Sequence, residues 1–207
     1  MTSSSDRDAF TEAWYRERAE AFADRTRDMA MAKFHDDFLA RLPDGGRILD
    51  VGCGSGRDAK AFRERGYEVE GLERSPELAR MAEQHAGCPV RIMSMEELED
   101  DGRFDGLWAS ASVLHIPIEA RAGLLTRFLR ALRPGGTLYL SLKEGGGRRI
   151  DAEDGRVFYD IRAKTLEDAL ISAGFVEPEV WRTTTVGSRV PGQVWVNGFA
   201  RRPADDG

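Results

Sequence analysis

Hydrophobic residues fall into two regimes along the chain. From residue 9 to 42, Phe10, Trp14, Phe22, Met29, Phe34 and Phe38 recur among charged residues at spacings near one or two helical turns, which predicts amphipathic helix. Pro43-Asp44-Gly45-Gly46 then breaks the chain. Beyond that break, short apolar runs predict strands at 47–51, 67–72, 90–93, 104–109 and 137–142. Helical stretches lie between them, reaching to about 66, starting at 76, and covering 118–132. Ser75 is placed to cap the second of these helices, with Pro76 at its first position. Gly145-Gly146-Gly147-Arg148-Arg149 reads as a mobile loop, and Thr165-Leu166-Glu167-Asp168 has capping-box spacing for a helix ending near 174. Two late strands, 175–185 and 193–201, are joined by a loop holding Gly187, Pro191 and Gly192.

Strands alternating with helices imply an α/β fold, doubly wound, with a mostly parallel seven-stranded sheet covered on both faces. The last two strands have only a loop between them, so the final strand should run antiparallel. The expected organisation is a single domain, with residues 1–42 forming an N-terminal helical cap on a ligand-binding body over 43–203.

Composition narrows the functional classes. A net charge of -6 over 207 residues argues against nucleic acid as a partner, since phosphate binding rests on basic surface. No run of about 18 apolar residues exists, so no membrane span is expected. The first six residues lack the features of a secretory signal and read as a disordered tail. Cys53 and Cys88 form no CxxC pair and no ligand cluster, which points to a reduced, cytoplasmic setting and no metal.

The chemistry concentrates at Asp50-Val51-Gly52-Cys53-Gly54-Ser55-Gly56, a strand running into glycines and then a helix. Glycines there allow positive φ and close approach of the backbone to a ligand, while helix-start amides face it. Gly54-Ser55-Gly56-Arg57-Asp58-Ala59 also fits the dinucleotide fingerprint, so an NAD-dependent oxidoreductase is one reading. Asp50 would repel a pyrophosphate at that strand end but would favour a cationic sulfonium and ammonium. Glu73, at the end of the next strand, can accept both hydroxyls of a ribose and serves either cofactor.

The run from Ile48 to Gly56, the acid Glu73, Phe104-Asp105-Gly106-Leu107-Trp108 and Leu132-Arg133-Pro134-Gly135-Gly136 together resemble the ordered motifs of class I S-adenosylmethionine-dependent methyltransferases. The short chain with a helical cap is most similar to the small bacterial group related to tellurite-resistance methyltransferases. The resemblance implies a Rossmann-like fold, S-adenosyl-L-methionine as cofactor, and direct methyl transfer to a small molecule through an O, N, S or metalloid-oxyanion acceptor. It assigns the cofactor to Asp50, Gly52, Cys53, Gly54, Gly56, Arg57, Glu73 and Arg74. Met95 and Glu96 fall where adenine is held, although Ser94 and Glu97 equally fit a capped helix start. Ala109 lies at the fourth strand's end, and Tyr15 and Arg25 on the cap could reach the cofactor's amino acid end.

The segment 110–117 lacks the Asn/Asp-Pro-Pro-aromatic tetrapeptide of base-methylating enzymes. His115 is the histidine placed to act as a general base, with a structural role as the alternative. His35 and His85 read as surface or packing residues; Lys143 and Tyr159 are candidate substrate contacts. A non-catalytic cofactor-binding module is the remaining alternative, and either a monomer or a homodimer fits. Trp181 and Trp195 could serve a core or an interface.

Overall fold

The computed structural model of the chain describes residues 4–184 and 192–205, with side chains from residue 9 onward. Three helices open it: α1 (Ser4–Glu17), α2 (Ala19–Arg27) and α3 (Ala32–Leu39). The amphipathic stretch is therefore interrupted twice. Thr26 contributes to the second interruption: its hydroxyl donates back to the carbonyl of Phe22, competing with the helical ladder one turn before the chain breaks. Because α1 begins at Ser4, it starts inside the stretch whose composition suggested a tail.

The body alternates as β1 (Arg47–Val51), α4 (Arg57–Glu64), β2 (Glu68–Glu73), α5 (Pro76–Ala86), β3 (Val90–Ile92), β4 (Phe104–Ser110), α6 (Ile118–Ala131) and β5 (Leu132–Lys143). A two-stranded ribbon, β6 (Gly147–Ile150) and β7 (Val157–Asp160), precedes α7 (Ala163–Ser172), β8 (Val176–Thr184) and β9 (Val194–Arg201). The main sheet has the order β3-β2-β1-β4-β5-β9-β8, parallel except for β9, which runs antiparallel to both neighbours. This is the expected seven-stranded, doubly wound sheet.

Strand alternation supplies both cores. Leu49 and Leu107 face α6 and α7, where they meet Phe128, Leu166 and Leu170. Their neighbours Ile48 and Trp108 face the other way, into a cluster with Phe38 of α3 and Phe62 of α4. The cap is thus bound to the sheet through α3, which leaves α1 and α2 to lie over the sheet's carboxyl edge. Strand order reverses between β1 and β4, and such a reversal opens a crevice at that edge.

Two local expectations are corrected. The glycine-rich segment after β5 is not a free loop but opens into β6, which pairs with β7 in the register Arg149↔Phe158. An ion pair from Arg149 to Asp160 at 2.7 Å ties the ribbon together, and β7 is buried along its whole length. In α7 no capping box forms at Thr165, because the helix begins at Ala163 after Arg162 and Thr165 falls within its first turn. The Ser75 cap does form, its hydroxyl accepting the Leu78 N–H with Pro76 behind it. Gly187 and Pro191 lie outside the described residues. Among those described, no helix is long and apolar enough to cross a membrane.

Candidate active site

The turn after β1 is built on left-handed backbone. Gly52 and Gly56 adopt φ of 69° and 75°, a region side chains disfavour. A Cβ on Gly52 would lie 2.5 Å from that of Ser112, and one on Gly56 would lie 2.8 Å from the backbone of Ala82. The amides of Gly52 and Cys53 both donate to the Leu72 carbonyl, which draws the turn onto the end of β2. There Glu73 closes the corner: its two carboxylate oxygens accept the N–H groups of Gly54 at 3.0 Å and Ser75 at 2.9 Å. Burial pushes its carboxyl above the ordinary glutamate range, while those amide bonds pull the other way.

Two cavities meet at this turn. The first, of about 230 Å³, runs from Glu73 past Leu72 and Met93 to Met95, with Ile116 opposite and Tyr15 of α1 as its roof. It joins an acid to an apolar slot, a fit for a ribose followed by a flat base. Arg74, on the same wall, is held by Glu12 at 2.5 Å. The second cavity, of about 260 Å³, extends from Gly54 and Arg57 along the ends of β4, β5, β8 and β9, roofed by Phe22 and Arg25 of α2. The turn residues Gly52 and Gly54 and the cap residues Tyr15 and Phe22 line both.

Beneath the turn lies a buried polar hub. Asp58 accepts from His35 Nε2 at 2.8 Å, Trp108 Nε1 at 2.9 Å, and the Nε and Nη2 of Arg57 at 2.7 and 2.6 Å. Burial alone would raise its carboxyl, but the Arg57 charge and the bonds from His35 and Arg57 hold it well below the aspartate range.

Above the turn a second network joins the cap to the ribbon. Arg156 Nη1 donates to the Tyr15 hydroxyl at 2.7 Å, and Tyr15 lies 2.9 Å from His115 Nε2. His115 Nδ1 faces the carbonyl of Val157. A carbonyl can only accept, so Nδ1 carries the proton and Nε2 receives the Tyr15 O–H. Burial lowers the His115 pKa to about 4, with the Arg156 and Lys143 charges acting in the same direction against the Val157 bond. His115 is therefore neutral at pH 7.

Of the residues singled out from the sequence, Gly52, Cys53, Gly54, Arg57, Glu73, Arg74, Met95, Tyr15, Arg25 and His115 line one or both cavities. Others do not. Asp50 is 2% exposed beneath the turn, where its Oδ2 accepts the Ala59 N–H at 3.1 Å, and it lines neither cavity. Its carboxyl is raised well above the usual range by burial and by the neighbouring Asp58 charge. Glu96 bends back to accept from the Ser94 hydroxyl, within a capping box that Ser94 and Glu97 complete. Ala109 is fully buried in β4, with Ser110 and Ala111 lining the cavity instead. Gly56 serves the turn by letting α5 pack closely. Tyr159 is buried, lines neither cavity, and accepts from Arg121 through its carbonyl. His35 is a packing residue, and a buried, paired one.

Arg156 and Asp58 were not found from the sequence. Asp58 stands beside Arg57 after the glycines, and that adjacent opposite charge at a helix start was the available signal. Arg156 lies 141 residues from Tyr15, and no spacing connects them.

The lowered His115 pKa makes a checkable statement about stability. The unfolded chain would protonate this ring near about pH 6.5, whereas the folded protein takes that proton only near pH 4. Between those values the unfolded state binds more protons, so stability falls as pH falls through the window. His115→Asn keeps a donor for the Val157 carbonyl but has no such proton. Denaturant melts at pH 7 and 4.5 should show a smaller acid loss in the variant; equal losses would remove His115 as the cause.

Residues 23–176 match the model of a family described as a methyltransferase domain. A ubiquinone biosynthesis O-methyltransferase of Xanthomonas campestris is 36% identical over 109 residues, a stretch covering 47% of this chain and 43% of that protein. The chain thus matches less than half the length of this curated relative. Among solved structures, a Burkholderia thailandensis 1,6-didemethyltoxoflavin-N1-methyltransferase with bound 1,6-didemethyltoxoflavin and S-adenosylhomocysteine superposes with a TM-score of 0.79 at 25% identity, covering 98% of this chain and 92% of that one. A Haemonchus contortus phosphoethanolamine N-methyltransferase 2 in complex with S-adenosyl-L-methionine gives 0.74 at 18% identity, covering 94% and 60%, a likeness of fold.

Proposed function

The chain belongs to the methyltransferase-domain family, and from that premise we propose that it is an S-adenosylmethionine-dependent methyltransferase acting on a small molecule. The observation that carries this reading is the pair of cavities meeting at Gly52 and Gly54, one lined as a nucleoside slot and the other lined on one side by the cap. Glu73 would hold the ribose hydroxyls through lone pairs its amide bonds leave free, with Leu72, Met93 and Met95 against the adenine. Arg25 and Arg57 lie on the side that would face the amino acid carboxylate. When bound, the cofactor supplies a sulfonium-activated methyl group, so alignment and exclusion of water are what the protein must add.

The chain's own residues provide both. Tyr15 and Phe22 line the junction of the cavities, where their rings would displace water from a bound ligand. His115 is no free base, since its Nε2 is taken up by Tyr15. It acts as a positioning residue, holding the Tyr15 hydroxyl together with Arg156. The second cavity's volume of about 260 Å³ favours a small acceptor, and the 1,6-didemethyltoxoflavin-N1-methyltransferase, which superposes on nearly the whole chain, supports that class.

Calorimetry should give a micromolar Kd for S-adenosylhomocysteine and no measurable heat with NADH. The reverse pattern would sink the reading. Labelled S-adenosylmethionine incubated with a metabolite extract, followed by mass spectrometry, should then place the label on a low-molecular-mass product.

A further inference from the structure

The floor of the second cavity is set by strand alternation. Tyr139, Ser141 and Lys143 point to one face of β5. The register places Asn197 of β9 beside Ser141, Trp195 beside Lys143, and Thr183 of β8 beside Trp195. All six line the cavity.

Most polar groups here already have partners. Tyr139 donates to Asn197 Oδ1 at 2.9 Å, Asn197 Nδ2 donates to Thr183 at 3.0 Å, and Ser141 Oγ accepts the Ala111 N–H at 2.9 Å. Arg57 is taken by Asp58, and Arg156 by Asp154 at 2.8 Å. Glu144, which follows Lys143, is paired with Arg182 at 2.6 Å, and Asp151 and Asp160 are both bridged by Arg149. Lys143 differs. Its Nζ sits 3.8 Å from the centroid of the Phe158 ring, and among the described residues no carboxylate is paired with it. Burial, followed by the Arg149 and Arg156 charges, lowers its pKa against the opposing charges of Asp151 and Asp160. Phe34, Tyr139, Phe158 and Trp195 supply aromatic walls around it.

A half-buried cation without a counter-ion, set among aromatic faces, is a binding site for what is missing: negative charge on a flat ring. We propose that the acceptor is a small planar aromatic anion whose charged group, a deprotonated hydroxyl or ring nitrogen or a carboxylate, pairs with Lys143. This rests on the second cavity being the acceptor site of a methyltransferase, and it specifies the acceptor's class.

The test uses 4-nitrophenolate and benzoate as planar anions, benzamide as the neutral planar control, and cyclohexanecarboxylate as the non-planar anion. Each is titrated by fluorescence into the protein with and without saturating S-adenosylhomocysteine. One or both planar anions should bind about ten- to a hundredfold more tightly than benzamide and cyclohexanecarboxylate. A preference for 4-nitrophenolate identifies an ionised hydroxyl or ring nitrogen, and a preference for benzoate a carboxylate. Lys143→Met should abolish the preference, and Lys143→Arg should keep most of it, with S-adenosylhomocysteine affinity unchanged in both. The proposal is overturned if benzamide or the non-planar anion binds as well as the planar ones, if neither planar anion binds at millimolar concentration, or if Lys143→Met keeps the preference. Failure of S-adenosylhomocysteine to bind would instead strike the cofactor reading, and the titrations without it still decide the role of Lys143.

Discussion

Glu73→Ala is expected to weaken S-adenosylhomocysteine binding at least about a hundredfold, the largest effect of any single substitution at the cofactor side. Two hydrogen bonds from ribose hydroxyls to a carboxylate contribute about 1.5–3 kcal/mol each, and both would be lost together. The same carboxylate holds the amides of Gly54 and Ser75, so its removal also loosens the turn that shapes both cavities. Glu73→Gln separates these contributions. It retains an acceptor oxygen but not the charge, so it should fall between wild type and alanine. Calorimetric titration of all three proteins, with circular dichroism to show that each is folded, decides the matter. Wild-type affinity in a folded Glu73→Ala would refute the assignment of the first cavity to the nucleoside.

From the sequence, both Asp50 and Glu73 are acids at the end of an apolar strand, Asp50 expected near the cofactor's cationic end and Glu73 at the ribose. The structure separates them by one feature of strand geometry. Asp50 turns under the loop to the first turn of α4, where its oxygen serves the Ala59 amide, whereas Glu73 faces the cavity. An electrostatic preference for a sulfonium over a pyrophosphate therefore cannot rest on contact with Asp50. Glu73 would serve a ribose of either cofactor, so the preference rests on the family.

The features legible in the sequence were those whose cause is local. Alternation of strands and helices produced the sheet, Ser75-Pro76 produced a helix start, and glycines at alternate positions produced the turn, because each depends on residues a few positions apart. The features missed depend on distant pairs. Val157-Phe158-Tyr159-Asp160 is an ordinary strand once paired, but the glycines that precede its partner suggested a loop. The Arg156–Tyr15–His115 chain draws on the ribbon, α1 and the segment after β4, so no window along the chain contains it. The cap was recognisable as helix from its apolar spacing. That it completes the site rather than merely covering the sheet follows only once Tyr15 is seen between Arg156 and His115.

Asp58→Ala carries the largest expected cost in stability. Its carboxylate is the shared acceptor for three donors from three elements: His35 on α3, Arg57 at the start of α4, and Trp108 on β4. Alanine leaves the Arg57 guanidinium, a ring nitrogen and an indole N–H in a buried site without that acceptor, a situation that costs about 3–5 kcal/mol. For a chain of this size, each kcal/mol corresponds to about 2–4 °C in Tm, so the midpoint should fall by roughly 10 °C. The sign with pH follows from the lowered carboxyl pKa. The unfolded aspartate titrates near about 3.9, so the contribution is whole at neutral pH and is lost as pH drops below that value. The difference between Asp58→Ala and wild type should therefore shrink in strong acid. Because α3 is held to the turn through this hub, S-adenosylhomocysteine affinity should fall together with stability. The double replacement His35→Phe/Asp58→Leu, which removes a donor along with the acceptor, should recover part of the melting temperature but not the affinity, since Arg57 would still lack its partner. A Tm for Asp58→Ala within about 2 °C of wild type, well inside the spread expected for a surface change, would show that the hub is not what fastens the cap to the cofactor turn.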